Sequence, residues 1–287
     1  MDNIIDGGLG NDTLHALRGN DTLLGGAGTN HLYGGVGDDT YVFVDPLAAG
    51  VTTLHEDAGI VGGGQLSPGG VDTLDLSALT SAVTFDLSAA TNTVGLLTVK
   101  LQDGSSATGA ANFEILLGSA THPNLLTGND ADNLLVGGLQ SNTLTGRGGH
   151  DILVGGSGTD TLNGDGGAGT PGRDLLFGGP GVDTLHGGGE EDLLVSGGFS
   201  YTGPLNRPAL DALRLAWRSQ QSYADRVTEL STGIGPSHQY QLNAGTYSSD
   251  AAVDILFGDA GQDWFVVDDP AEVMDWVALE TITDLMF

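Results

Sequence analysis

Aspartate recurs in this chain at intervals that are too regular for ordinary turns. Asp12, Asp21 and Asp39 share one phase. Asp151, Asp160, Asp174, Asp183 and Asp192 share a second block, and Asp254 and Asp263 follow near the end. Asn30, Asn133 and Asn142 stand where the phase calls for an acid. Each falls at the sixth place of a nonapeptide whose first, second and fourth places favour glycine, as in GGLGNDTLH from Gly7 and GGSGTDTLN from Gly155. A single Asp beside a Gly is a common turn former. Ten aspartates in fixed register beside fixed glycines point to oxygen-ligand chemistry instead. If two repeats make one coil, aspartates two repeats apart stack at about one strand spacing, ~4.8 Å. Bare carboxylates at that distance repel by about 3 kcal/mol at intermediate dielectric. A hard cation with six to eight oxygen ligands removes the penalty, and calcium suits such a set better than magnesium, which keeps strict octahedral geometry and its waters.

The spacing predicts shared ions between Asp21 and Asp39, Asp160 and Asp183, Asp151 and Asp174, and Asp174 and Asp192. Sites that use Asn30, Asn133 or Asn142 carry one charge fewer and bind more weakly. The expected ligand set is Asp12, Asp21, Asn30, Asp39, Asp151, Asp160, Asp174, Asp183, Asp192, Asp254 and Asp263.

The elements that hold these residues follow from the same period. Place eight is apolar: Leu14, Leu23, Leu32 and Tyr41 in the first block, then Leu135, Leu144, Leu153, Leu162, Leu176, Leu185 and Leu194. One coil buries almost nothing alone, but stacked coils align these residues into a continuous core. Glycine at places one, two and four is expected to supply the positive φ of tight turns.

The nonapeptide G-G-x-G-x-D-x-U-x, with U a large apolar residue, resembles the glycine-rich repeat of the RTX (repeats-in-toxin) family. The resemblance is close over about half the chain. It implies an all-β fold, a right-handed parallel β-roll or β-solenoid. In such a roll the first six places form a calcium-binding turn and the last three a short strand. For this chain one helical insertion is added.

Five regions are expected. Residues 1–44 form a first repeat block. Residues 45–127, with SPGGVDTLD placing Asp72 at place six, read as degenerate, calcium-poor coils of the same solenoid; a small separate β-sandwich is the alternative. Residues 128–198 form the second block, in which the repeat from Gly164 to Phe177 is expanded. Residues 199–250 are a helical insertion, with Leu210, Leu213 and Trp217 at helical spacing after Pro208, then Tyr223, Val227 and Leu230. Its arginines, Arg207, Arg214, Arg218 and Arg226, either clasp the acidic roll edges, or Arg214 and Arg218 form a partner-binding face with Trp217. Residues 251–287 hold the last repeats, with Asp254 continuing the edge of Asp183 and Asp263 that of Asp192. The final Asp284-Leu285-Met286-Phe287 resembles a C-terminal type I secretion signal. Met1–Asp6 reads as the tail of a repeat, so the chain starts mid-coil, as a fragment of something longer would.

Composition narrows the function. Eight basic against 37 acidic residues give a formal net charge of −29, which repels nucleic acid and anionic membranes and attracts cations. No apolar run is long enough to span a bilayer, and the absence of cysteine excludes disulfides and thiolate sites. No H-E-x-x-H or G-x-S-x-G is present, and no carboxylate pair stands out from the periodic array, so catalysis is not expected. The histidines at places five, seven and nine read as solvent-exposed. A threonine ladder at place seven is interrupted by His31, Leu134, Ile152 and Leu193. The expected function is a secreted calcium-binding module that folds on meeting extracellular calcium. Two alternatives stay open: a calcium-dependent adhesin or self-assembling surface filament, joined end to end or to a cell-surface partner, and the C-terminal secretion module of a larger extracellular enzyme.

Overall fold

The computed structural model describes residues 1–56, 60–61, 65–66, 70–103, 113–166, 169–202, 205–235, 238–250, 252–276 and 280–284. Ser67–Pro68–Gly69 and the terminal Leu285–Phe287 lie outside the described residues, and so does the secretion-signal reading of that tail. The chain divides into two compact units, Met1–Asn129 and Asp130–Phe287.

In the first unit, short strands Ile4–Asp6, Thr22–Leu24, Thr40–Val42, Asp72–Asp75 and Phe113–Leu117 pair in parallel, in that order. Ile5, Leu23, Tyr41 and Leu74 stack in register, which is the place-eight column seen from within. A second sheet runs Thr13–Arg18, Thr29–Val36, Gly50–Glu56, Leu97–Asp103, all parallel, with Thr91–Val94 added antiparallel at the edge. A third pair joins Val83–Asp86 to Asn124–Thr127 in parallel. The strands of residues 70–103 and 113–117 thus extend the sheets that the first repeats begin.

In the second unit two sheets alternate repeat by repeat. One holds Leu134–Gly138, Ile152–Gly156, Leu175–Phe177, Leu193–Val195, Trp264–Val267 and Thr281–Asp284. The other holds Thr143–Thr145, Thr161–Asn163, Thr184–Gly189 and Ile255–Ala260. Both are parallel throughout. Place-eight residues meet in register as Leu135–Leu153–Leu176–Leu194–Phe265 and as Leu144–Leu162–Leu185–Leu256. All of them are fully buried. Leu14 alone among the expected core residues is only half-buried. Several strands are longer than three residues, because pairing carries on into places one and two of the following repeat, as in Ile152–Gly156.

Glycine serves two ends. Gly156 and Gly158, at places two and four, have φ of +109° and +115°, a conformation that costs other residues about 1–2 kcal/mol. Place one differs from expectation: its glycines show no positive φ. A Cβ on Gly155 would sit 2.5 Å from Asp160 Oδ2 and 2.7 Å from the Gly178 carbonyl oxygen, so this glycine is there for space.

The insertion in the second unit holds two helices, not one. Helix α1 is Arg207–Trp217 and α2 is Tyr223–Thr232. Asn206 caps α1 by accepting from the Ala209 N–H, and Ser222 caps α2 by accepting from the Asp225 N–H. The Ser222 cap is what breaks the apolar pattern that reads as one helix in sequence. Leu210, Leu213, Trp217 and Leu230 are fully buried. No helix among the described residues is long and apolar enough to cross a membrane.

Candidate metal centre

The place-six side chains form ladders along the coil edges. In the second unit, one edge carries Asn133, Asp151, Asp174, Asp192 and Asp263. The N–H of each donates to Oδ1 of the next, at 2.7 to 2.8 Å. The other edge carries Asn142, Asp160, Asp183 and Asp254, with the same bonds at 2.7 to 2.8 Å. It then continues to Glu272, whose Oε1 accepts from the Asp254 N–H at 3.4 Å. In the first unit one edge reads Asn3, Asp21, Asp39, Asp72 and Glu114, again with each N–H donating to the next side chain. Its other edge is short: Asp12 donates to Asn30 Oδ1 at 3.0 Å.

The structure therefore brings together Asp21 with Asp39, Asp160 with Asp183, Asp151 with Asp174, and Asp174 with Asp192 as direct ladder neighbours. Asp254 and Asp263 extend the edges of Asp183 and Asp192. Asn30 faces Asp12 alone in the short ladder.

The ladder satisfies only one carboxylate oxygen. Oδ2 of Asp12, Asp21, Asp39, Asp151, Asp160, Asp174, Asp183, Asp192 and Asp263 is buried with no hydrogen-bond partner. A buried anionic oxygen without a partner is costly, and chains avoid it unless a cation or proton arrives. The electrostatics state the same cost. Burial pushes Asp39 and Asp160 up to about 6, Asp254 and Asp263 to about 7, and Asp183 to about 8, with ladder neighbours adding to the rise for Asp39, Asp183 and Asp254. Asp151, Asp174 and Asp192 are also raised, by burial first and then by Asp174 beside Asp151 and Asp192.

A calcium ion fits this donor chemistry. The oxygens are hard, anionic and paired, and main-chain carbonyls flank the same spaces: Gly178 O with Asp160 Oδ2 around Gly155, Ser196 O with Asp183 Oδ2 around Gly178, and Gly258 O with Asp192 Oδ2 around Gly187. Main-chain oxygen has to supply much of the shell, because no group of three or more His, Asp or Glu side chains among the described residues could hold a metal by itself.

Four copies of the RTX calcium-binding nonapeptide repeat match the chain, over residues 2–41, 127–162, 136–170 and 168–202. The chain carries RTX calcium-binding repeats. No curated protein matches it by sequence. RTX repeats bind calcium, so the orphaned Oδ2 atoms have a natural partner. The matches end at residue 202, whereas the acidic edges run on to Asp254, Asp263 and Glu272.

Sequence reasoning overlooked parts of the site. Glu272 lies eighteen residues after Asp254, the interval that separates Asp21 from Asp39, so counting past the last obvious RTX repeat finds it. Glu114 follows Asp72 by no repeat interval and carries no such signal. Place five forms an outer ladder of opposite sense: the N–H of His150 donates to Asp132 Oδ1 at 2.9 Å, and that of Asp38 to Asn20 Oδ1 at 3.1 Å. The histidines are not simply solvated. Tyr33 stacks between His15 and His55, at 4.4 and 4.1 Å between ring centroids, and His31 Nδ1 lies 3.0 Å from His55 Nε2.

Proposed function

We propose that this chain is a secreted structural module whose RTX coils fold when they meet extracellular calcium. What carries the reading is the set of buried carboxylates that spend one oxygen on the ladder and leave the other unsatisfied. Such columns oppose stacking until cations arrive. No preformed site exists in the unfolded chain, so the free energy of binding becomes free energy of folding. Asp12, Asp21, Asn30, Asp39, Asp151, Asp160, Asp174, Asp183, Asp192, Asp254 and Asp263 would hold the ions, with glycine carbonyls completing the shell. Extracellular modules bind in the range of about 10⁻⁴ to 10⁻³ M. The chain would remain open at low calcium inside the cell and close outside it.

Calcium titration followed by far-ultraviolet circular dichroism tests this. The β signal should appear cooperatively with calcium and vanish with excess chelator. A chain equally folded in chelator would overturn the coupling.

A further inference from the structure

Past the last recognisable repeat, the chain makes one more coil that lacks the glycine pattern. Residues 267–275 read VDDPAEVMD, with Glu272 at the sixth place. The main chain still pairs in parallel, one residue out of the register of the earlier coils: Val273, at place seven, bridges Leu256, at place eight, and the Met274 N–H donates to the Leu256 carbonyl at 2.9 Å. Asp275 receives the N–H groups of Gly258 and Asp259 at 3.0 and 2.8 Å. Glu272 closes a short 3-10 turn, Pro270–Glu272, capped by Asp269.

The Glu272 side chain is 0% exposed. Its Oε1 takes the Asp254 N–H, as an aspartate would one coil on; its Oε2 is buried and makes no hydrogen bond of ordinary geometry, although the Ser196 hydroxyl also acts on the carboxylate. The longer side chain makes up for a backbone that arrives by a turn with proline in it. Negative charge surrounds the place: Asp254 is buried next to it, and Asp268 is 7% exposed and held by the hydroxyls of Tyr247 and Ser249, each at 2.8 Å. No ion pair among the described residues reaches Asp254, Asp268 or Glu272.

We propose that Asp254 and Glu272 hold a further calcium ion, outside the RTX repeats, which fastens this last coil to the roll. The inference rests on the calcium reading above. It adds a site where the nonapeptide is unrecognisable, and it makes closure of residues 267–276 calcium-dependent.

The test compares the full chain with Glu272→Gln, whose amide oxygen still accepts the Asp254 N–H but brings no charge. Bound calcium, counted by equilibrium dialysis with atomic absorption at saturating calcium, should fall by one ion per chain. Hydrogen exchange on the unmodified chain is the second reading, and it holds even if the variant folds poorly. Across a calcium titration, protection of the Met274 amide should rise by about tenfold or more at calcium levels where roll amides such as that of Leu194 are already protected, as expected for local closure. An unchanged ion count in a folded variant, or a Met274 amide that gains its protection at the same calcium level as the Leu194 amide, overturns the proposal. If the unmodified chain binds no calcium at all, the underlying calcium reading fails instead.

Discussion

The two edges of the second unit are built from the same nonapeptide yet live in different surroundings. Along one edge the residues at place seven are Leu134, Ile152, Leu175, Leu193 and Trp264, none more than 1% exposed. Along the other they are Thr143, Thr161 and Thr184, half-exposed, and then Ile255 at 39%. The insertion accounts for the difference. Arg214 Nη1 donates to the carbonyls of Asn133 and His150, Trp217 Nε1 to that of Glu191 at 2.8 Å, and the Tyr223 hydroxyl to that of Asp263 at 2.7 Å. These carbonyls belong to places five and six of four coils on one edge. Arg218 pairs with Asp132, and Arg226, 1% exposed, lies 5.1 Å from the Trp217 ring and pairs with Glu191. Arg173 joins Glu191 at 2.5 Å. Arg214, Arg218 and Arg226 thus contact the roll itself, as a clasp does, whereas Arg207 pairs with Asp211 of its own helix. A common repeat sets the coil, and the outward residues at places seven and nine decide which face is covered.

The largest effect expected from breaking this contrast is on stability. Trp217→Ala removes a fully buried indole from the clasp and should cost the calcium-loaded chain about 3–5 kcal/mol in chemical denaturation. Thr184→Ala on the open face should change it by less than about 0.5 kcal/mol. Equal losses would mean that the clasp does not set the difference.

Acid should act with opposite sign with and without calcium. Asp160, Asp183 and Asp254 have folded values of about 6, 8 and 7 against 3.8 for the ordinary group. A raised folded value means the folded chain holds the proton more tightly. Metal-free stability is then greatest below about pH 4 and falls as pH rises through roughly 6 to 8. Calcium competes for the deprotonated form, so its apparent affinity should drop over the same window as pH falls. Thermal melts in chelator and in millimolar calcium, from pH 4 to 8, check both signs.

Ion release should sharpen the comparison further. Ions held by Asp151, Asp174 and Asp192 would lie on the clasped edge, and ions held by Asp160 and Asp183 on the open one. Stopped-flow mixing with a fluorescent chelator should give two phases, the slower lost in Trp217→Ala. A single phase in both proteins would contradict shielding by the helices. The smallest effect concerns backbone strain. Glu190 at place four has φ of +72°, where glycine is usual, and Glu190→Gly should stabilise by about 1 kcal/mol.

Much of this was legible in sequence. The nine-residue period located the coils, the apolar column at place eight, and the ladder neighbours from Asp21–Asp39 to Asp174–Asp192. The rest was hidden for physical reasons. The threonine ladder reads as broken only when the two faces are read as one string; separated by alternate repeats, Thr143, Thr161 and Thr184 are continuous and in register. Place-one glycine looks like a φ requirement, whereas the Oδ2 atom and a carbonyl from the next coil fill the space a Cβ would need. The break at Ser222 is a capping event inside an apolar pattern. His31 and His55 are 24 residues apart, and only coil stacking brings them to 3.0 Å.

The central claim is that divalent ions sit between successive aspartates of each edge. Anomalous diffraction from crystals grown in calcium, or soaked in a lanthanide, tests it most directly. Peaks are predicted beside Oδ2 of Asp160 and Asp183, and of Asp151, Asp174 and Asp192. Coils in this register with no anomalous peak at any of these carboxylates would contradict it.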